Sequence, residues 1–207
     1  MTTESTMQRL PQVTPATMRE RLRAETAALH TEVERCLDIT ARLRSVSSYA
    51  NLVATLFGYH EPLERTAAGA PTPEPPLGFS PWGCAALLAR DLRALRPCSD
   101  VAGVRRCTRL PALDRPEHVA GCLYVVEGSA LGGQEIAREG RRHRGLSGDC
   151  VAFFTGTGAE TGLRWRRVVA WLDEVTSAGA DADEIVHGAR DTFGTLIAWL
   201  DDETRAT

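Results

Sequence analysis

Strict alternation of apolar and polar residues is nearly absent from this 207-residue chain, and apolar positions instead recur at helical spacing in six stretches. That pattern leaves little room for a sheet and points to helices that bury one face against each other. Thr14-Pro15 can start the first helix as cap and first position, with Met18, Leu22, Ala28, Leu29, Val33 and Leu37 inward up to about Asp38. A second helix is expected over Ser47 to Ala68, with Leu52, Val53, Leu56, Phe57 and Leu63 inward. Pro62 should kink or interrupt it by removing a backbone donor. A proline-rich connector from Ala70 to Pro81 leads into a third helix over Trp82 to Leu95, and short irregular pieces follow over 97–115. The remaining helices fit Pro116 to Gly140, Glu160 to Ala178 and Asp181 to Asp201, with a turn at Gly145 to Gly148. The expectation is an all-α fold of six or more helices in layers. Residues 1–13 read as a polar, mobile segment and 14–203 as one domain, long enough for a sizeable core.

The fourth of these segments carries the first functional signal. Gly128-Ser129-Ala130-Leu131-Gly132-Gly133 places three glycines in a stretch that otherwise reads as a buried helix. Each interior glycine weakens a helix by roughly 1 kcal/mol against alanine. A helix tolerates this where something flat must lie against its backbone, or where another helix crosses at close range. A bend at Gly128 to Gly133 is expected. The second signal lies far upstream, at His30 in Leu29-His30-Thr31-Glu32-Val33-Glu34. A histidine with an acidic neighbour four residues on is common at surfaces, yet it is also how a metal-ligating imidazole is oriented.

Charge and cysteine usage narrow the class. A net charge of −3 gives no electrostatic case for nucleic acid or an anionic membrane. All 24 basic residues are arginine. The six cysteines (Cys36, Cys84, Cys98, Cys107, Cys122 and Cys150) show neither a CxxC pair nor zinc-ligand spacing, so reduced thiols and a cytoplasmic location are expected. No apolar run approaches a membrane span and the first residues lack a signal pattern.

Four pieces in order resemble the heme oxygenase family, particularly its bacterial branch that supplies biliverdin to bacteriophytochromes. They are Leu22-Arg23-Ala24-Glu25-Thr26-Ala27-Ala28-Leu29-His30-Thr31-Glu32-Val33-Glu34, then Leu123-Tyr124-Val125-Val126-Glu127-Gly128-Ser129-Ala130-Leu131-Gly132-Gly133-Gln134, then Phe153-Phe154 with Gly162-Leu163-Arg164-Trp165-Arg166, and finally Ala189-Arg190-Asp191-Thr192-Phe193. The resemblance implies a heme held between a proximal helix and a kinked distal one. His30 would be the proximal iron ligand and Glu34 the partner of its second ring nitrogen, directly or through water. Gly128, Ser129, Gly132 and Gly133 would form the distal, catalytic face open to dioxygen. Ser129 departs from the aspartate of the vertebrate-type pattern, which leaves the source of distal protons open. Arg23, two turns before His30, and Arg166 would bind the heme propionates. Phe193, like Phe153-Phe154, matches an aromatic position of the family, although ordinary core packing is the commoner use of all three.

The activity so implied is oxidative cleavage of heme b, at once cofactor and substrate, to biliverdin, carbon monoxide and ferrous iron with O2 and external electrons. The chain lacks a dinucleotide fingerprint, a P-loop and an iron–sulfur cysteine pattern. A ferredoxin or flavoprotein reductase is therefore the expected donor, a bacteriophytochrome a plausible acceptor of biliverdin, and a monomer the default state. Two other readings share the fold: a non-catalytic heme carrier or sensor, and a non-heme di-iron protein. The latter needs repeated Glu-x-x-His ligands, and Glu184-Ile185-Val186-His187 is the only such match.

Overall fold

The computed structural model describes residues 17–72, 74, 82–97, 101–144 and 146–205, and among these every regular element is a helix. The helices are α1 (Met18–Leu37), α2 (Ile39–Arg42), α3 (Val46–Ala67), α4 (Cys84–Leu95), α5 (Pro116–Arg144), α6 (Ala152–Thr155), α7 (Thr161–Ser177) and α8 (Ala182–Arg205). Single 3-10 turns lie at Val101–Gly103, Gly148–Cys150 and Gly158–Glu160. The expected starts at Thr14-Pro15 and the 1–13 segment lie outside the described residues, as do most of the proline-rich connector, Cys98 and Gly145.

Local chemistry explains the boundaries. Thr17 caps α1 in a reciprocal box: its hydroxyl accepts from the Glu20 amide while Glu20 accepts from the Thr17 amide. The helix stops at Asp38, whose short side chain tolerates a left-handed backbone (φ 38°) and whose carboxylate then accepts from the Ala41 amide to open α2. Ser45 caps α3 by accepting from the Ser48 amide. Gly83, at the start of α4, has no capping side chain of its own. Glu64 of α3 supplies the cap instead, accepting from the amides of Gly83 (3.1 Å) and Ala85 (3.0 Å).

Pro62 does not interrupt α3, which is α-helical through Ala67. The carbonyl that a proline would leave without a partner four residues back is that of Gly58, and the Cys107 amide donates to it at 2.8 Å. That approach is possible because residue 58 has no side chain: a Cβ there would meet the Arg105 carbonyl and the Trp199 ring. The segment over 105–107 therefore repairs the helix it lies against. Helix α5 is likewise unbroken from Pro116 to Arg144, four residues beyond the expected end and continuous through the three glycines.

Two apolar clusters form the core. One joins α1, the second half of α3, the first part of α5, α7 and α8 around Leu22, Tyr59, Leu63, Leu123, Leu172 and Ile185. The other joins the first half of α3, α4, α6 and the end of α5 around Tyr49, Leu52, Leu88 and Val151. Helices α3 and α5 run through both. The closest crossing is α5 on α8, where two glycines face each other's helix. A Cβ on Gly121 would come to 2.5 Å from the Ala189 nitrogen, and one on Gly188 to 2.5 Å from the His118 Cα. Neither glycine was singled out in the sequence, although both are what let these two long helices touch backbone to backbone.

Candidate functional site

Helix α8 carries both α1 and α5, whereas α1 and α5 meet each other at few points. The space between α1 and α5, with α8 beneath and α7 in contact with both, is the candidate cleft. His30 projects from α1 with 61% of its side chain exposed, and its Nδ1 lies 3.6 Å from Glu34 Oε1. Its ring meets Phe193 of α8 edge-on, with centroids 6.1 Å apart. Phe193 itself is buried. One nitrogen of the imidazole thus has an acidic partner within one helical turn while the other remains available, which is the arrangement a metal-ligating histidine needs.

On the opposite wall the three glycines turn out to have different neighbours. A Cβ on Gly132 would meet nothing within 4 Å, so its backbone faces open space. One on Gly128 would touch the Trp165 ring of α7 at 3.4 Å. One on Gly133 would fall 2.8 Å from the Phe154 carbonyl, so Gly133 is turned to the backbone of α6 and serves packing. Ser129 is exposed, and its hydroxyl donates to the Val126 carbonyl at 2.7 Å. Its proton is committed to its own helix, and the oxygen keeps lone pairs for a donor such as water.

Arg23 and Arg166 are both exposed, and neither has an ion-pair partner among the described residues. Arg23 lies close enough to Tyr124 of α5 to act on its phenol, together with Arg19. Burial pushes that phenol up, opposed by the Thr26 hydroxyl and the two arginines. Tyr124 and Trp165 stack with centroids 5.4 Å apart. The contact of Tyr124 with Thr26 is where the two walls approach. Tyr124 and Trp165 lie inside motifs visible in the sequence, yet nothing in their spacing signalled that they would meet.

Behind the α5 wall, Glu127 is buried and accepts two bonds from Arg164, from Nε at 2.7 Å and from Nη2 at 2.7 Å. This fork joins α5 to α7 one residue before Gly128, and the carboxylate raises the Arg164 pKa. The Glu184/His187 pair considered for a second metal has other work. Glu184 Oε2 lies 2.8 Å from His118 Nε2, Asp114 Oδ1 lies 2.9 Å from the other ring nitrogen, and Arg115 pairs with Glu184 at 3.0 Å. A separate surface cleft of about 550 Å³, lined by Asn51, Leu92, Arg96 and Arg105 among others, offers no histidine.

The donor set of the α1–α5 cleft fits heme: one exposed imidazole oriented by a carboxylate, an aromatic ring at its edge, an opposing backbone without side chains, and two unpaired guanidinium groups for the propionates. Comparison with known proteins agrees. The family model for heme oxygenase matches residues 16–202. Among solved structures, the fold is similar to the NO- and CO-bound heme oxygenase from Neisseria meningitidis, with a TM-score of 0.60 and 18% identity over 90% of this chain and 92% of that one. Among curated proteins, comparison finds no match.

Proposed function

Because the chain belongs to the heme oxygenase family, and is thus an enzyme that degrades heme, we propose that it does so in the α1–α5 cleft, with His30 as the iron ligand and biliverdin as the product. The observation that carries this assignment is the pairing of an exposed, Glu34-oriented imidazole on one wall with an open glycine backbone on the other. Bound heme supplies the iron that activates dioxygen, and its own macrocycle is what is opened. The chain's residues position and protect that chemistry.

His30 would hold the iron, and Glu34, 3.6 Å from its Nδ1, would help fix the ring orientation. Phe193 limits rotation of the imidazole by lying against its edge. On the distal side, Gly132 would let the α5 backbone approach the ring plane, whereas Gly128 is turned to Trp165. Ser129 takes a hydrogen bond from water there, and it can pass a proton on only by releasing the Val126 carbonyl. Arg23 and Arg166 would hold the propionates of the bound heme. Gly133 stays with α6 and holds the wall in place.

Electrons must come from outside the chain, from a ferredoxin or flavoprotein reductase, and a bacteriophytochrome is the acceptor that the closest sequence resemblance suggests. No helix among the described residues is long and apolar enough to cross a membrane. A monomer in the cytoplasm is the working assignment. Aerobic turnover of hemin-loaded protein with ferredoxin, its reductase, NADPH and catalase tests the proposal. Loss of the Soret band with growth of a biliverdin band is expected. A stable ferrous or oxygenated heme spectrum overturns it in favour of a carrier or sensor.

A further inference from the structure

We propose that His60, Glu64 and Cys84 form a second site, separate from the heme cleft, that binds one zinc-class divalent cation. His60 and Glu64 lie one turn apart on α3 and therefore share a face. Cys84 is the first residue of α4. One potential ligand atom from each of the three residues lies within 4.8 Å of the others. Three donors from two different helices are thus gathered to within side-chain adjustment of a tetrahedral sphere, whose donors lie roughly 3.5 Å apart.

The position of Cys84 is not accidental to the backbone around it. Glu64 Oε1 accepts from the Gly83 and Ala85 amides, on either side of the cysteine, so the carboxylate fixes the turn that presents the thiol. Its other oxygen has no partner among the described residues and is free to ligate. An independent observation points the same way. His60 is buried, and its Nδ1 is a fully buried side-chain nitrogen with no hydrogen-bond partner. Leaving such a group unsatisfied costs about 1–3 kcal/mol, and a cation at this point removes that penalty. Burial keeps the ring neutral, with its pKa lowered to about 4, so a lone pair is available.

The donor types select the metal. Imidazole nitrogen, thiolate sulfur and one carboxylate oxygen suit zinc and its neighbours, whereas magnesium and calcium take oxygen sets. Charge selects it as well. One thiolate and one carboxylate neutralise a divalent cation, which is what a poorly solvated pocket requires. On binding, the Cys84 S–H bond breaks, a sulfur–metal bond forms, and one proton leaves to solvent. Three protein ligands leave a fourth position for water. Cys84 feels the charges of Glu127 and Arg164, so the site abuts the fork that joins α5 to α7.

The test uses heme-free full-length protein titrated with Co2+ and then Zn2+. One Co2+ per chain with a thiolate-to-cobalt charge-transfer band, displaced by Zn2+, is expected. Cys84→Ser and His60→Ala should each remove the band and weaken Zn2+ binding by more than about tenfold, the lower end of what even an outer-shell partner is worth. Retained helical circular dichroism and hemin loading show that these variants are folded. His30→Ala must keep the band. The proposal is overturned if the natural chain shows no charge-transfer band at saturating Co2+. It is equally overturned if Cys84→Ser binds Co2+ with unchanged stoichiometry and spectrum, or if His30→Ala loses the band.

Discussion

Exposure suits the imidazole of His30 to the proposed role, because a nitrogen already bonded to protein could not take iron. His30→Ala should therefore still fold and still admit hemin between its walls, but with the ferric spectrum altered and turnover lost. Added imidazole should restore part of the original spectrum, and failure to do so while the protein stays folded would count against the assignment. Asp91 presents the opposite case, a buried carboxylate whose two oxygens accept from the Ala152 and Phe153 amides at 2.7 and 2.9 Å and so cap α6. Desolvation outweighs those bonds and raises its pKa to about 6 from 3.8. The native state thus holds this proton more tightly than the unfolded chain. Its contribution is full below about pH 4 and disappears as pH rises through about 6. Denaturant titrations from pH 4 to 7 should show the natural chain losing stability, relative to Asp91→Asn, across that window. An identical pH slope in both proteins would show that Asp91 is not shifted.

Among the helices, glycine has two distinct uses, and substitution separates them. Alanine at Gly132 fills empty space and removes a helix-weakening residue, so stability should rise by up to about 1 kcal/mol while hemin turnover falls. Alanine at Gly121, Gly133 or Gly188 pushes a methyl group into neighbouring backbone and should cost about 1–3 kcal/mol each, measured as a shift in denaturation midpoint. The sequence showed that residues 128–133 were exceptional, but it could not say which glycine faced a ligand and which faced α6. Spacing along one helix carries no information about what crosses it. The same limit explains Pro62, where the expected interruption is averted by Cys107, a residue 45 positions away in a segment without regular structure. Helices α2 and α6, four residues each, were too short for any periodicity to register. Long amphipathic helices, by contrast, were legible to within a few residues, because their inward positions repeat over several turns.

For the whole molecule, the ordered motifs identified the family, since they reside on its principal helices. What escaped were the pairings between distant segments: Glu127 with Arg164, Glu64 with the start of α4, Gly121 with Gly188. Each joins residues of ordinary type whose meaning comes only from the neighbour. Ligand binding across the cleft should report on the entire fold, because heme bound to native protein alone adds about 2.7 kcal/mol at a hundredfold excess over its dissociation constant. Hemin should accordingly raise the melting temperature of the natural chain in a concentration-dependent way, and an unchanged value would argue that no folded-state site exists. The sparse meeting of α1 and α5 has a mechanical side. Both are hung from α8 like leaves from one spine, with Tyr124 and Thr26 meeting between them. A rigid, flat guest can be clasped by such leaves, and a ring that has been cut and loses its flatness can spread them without unseating either from the spine.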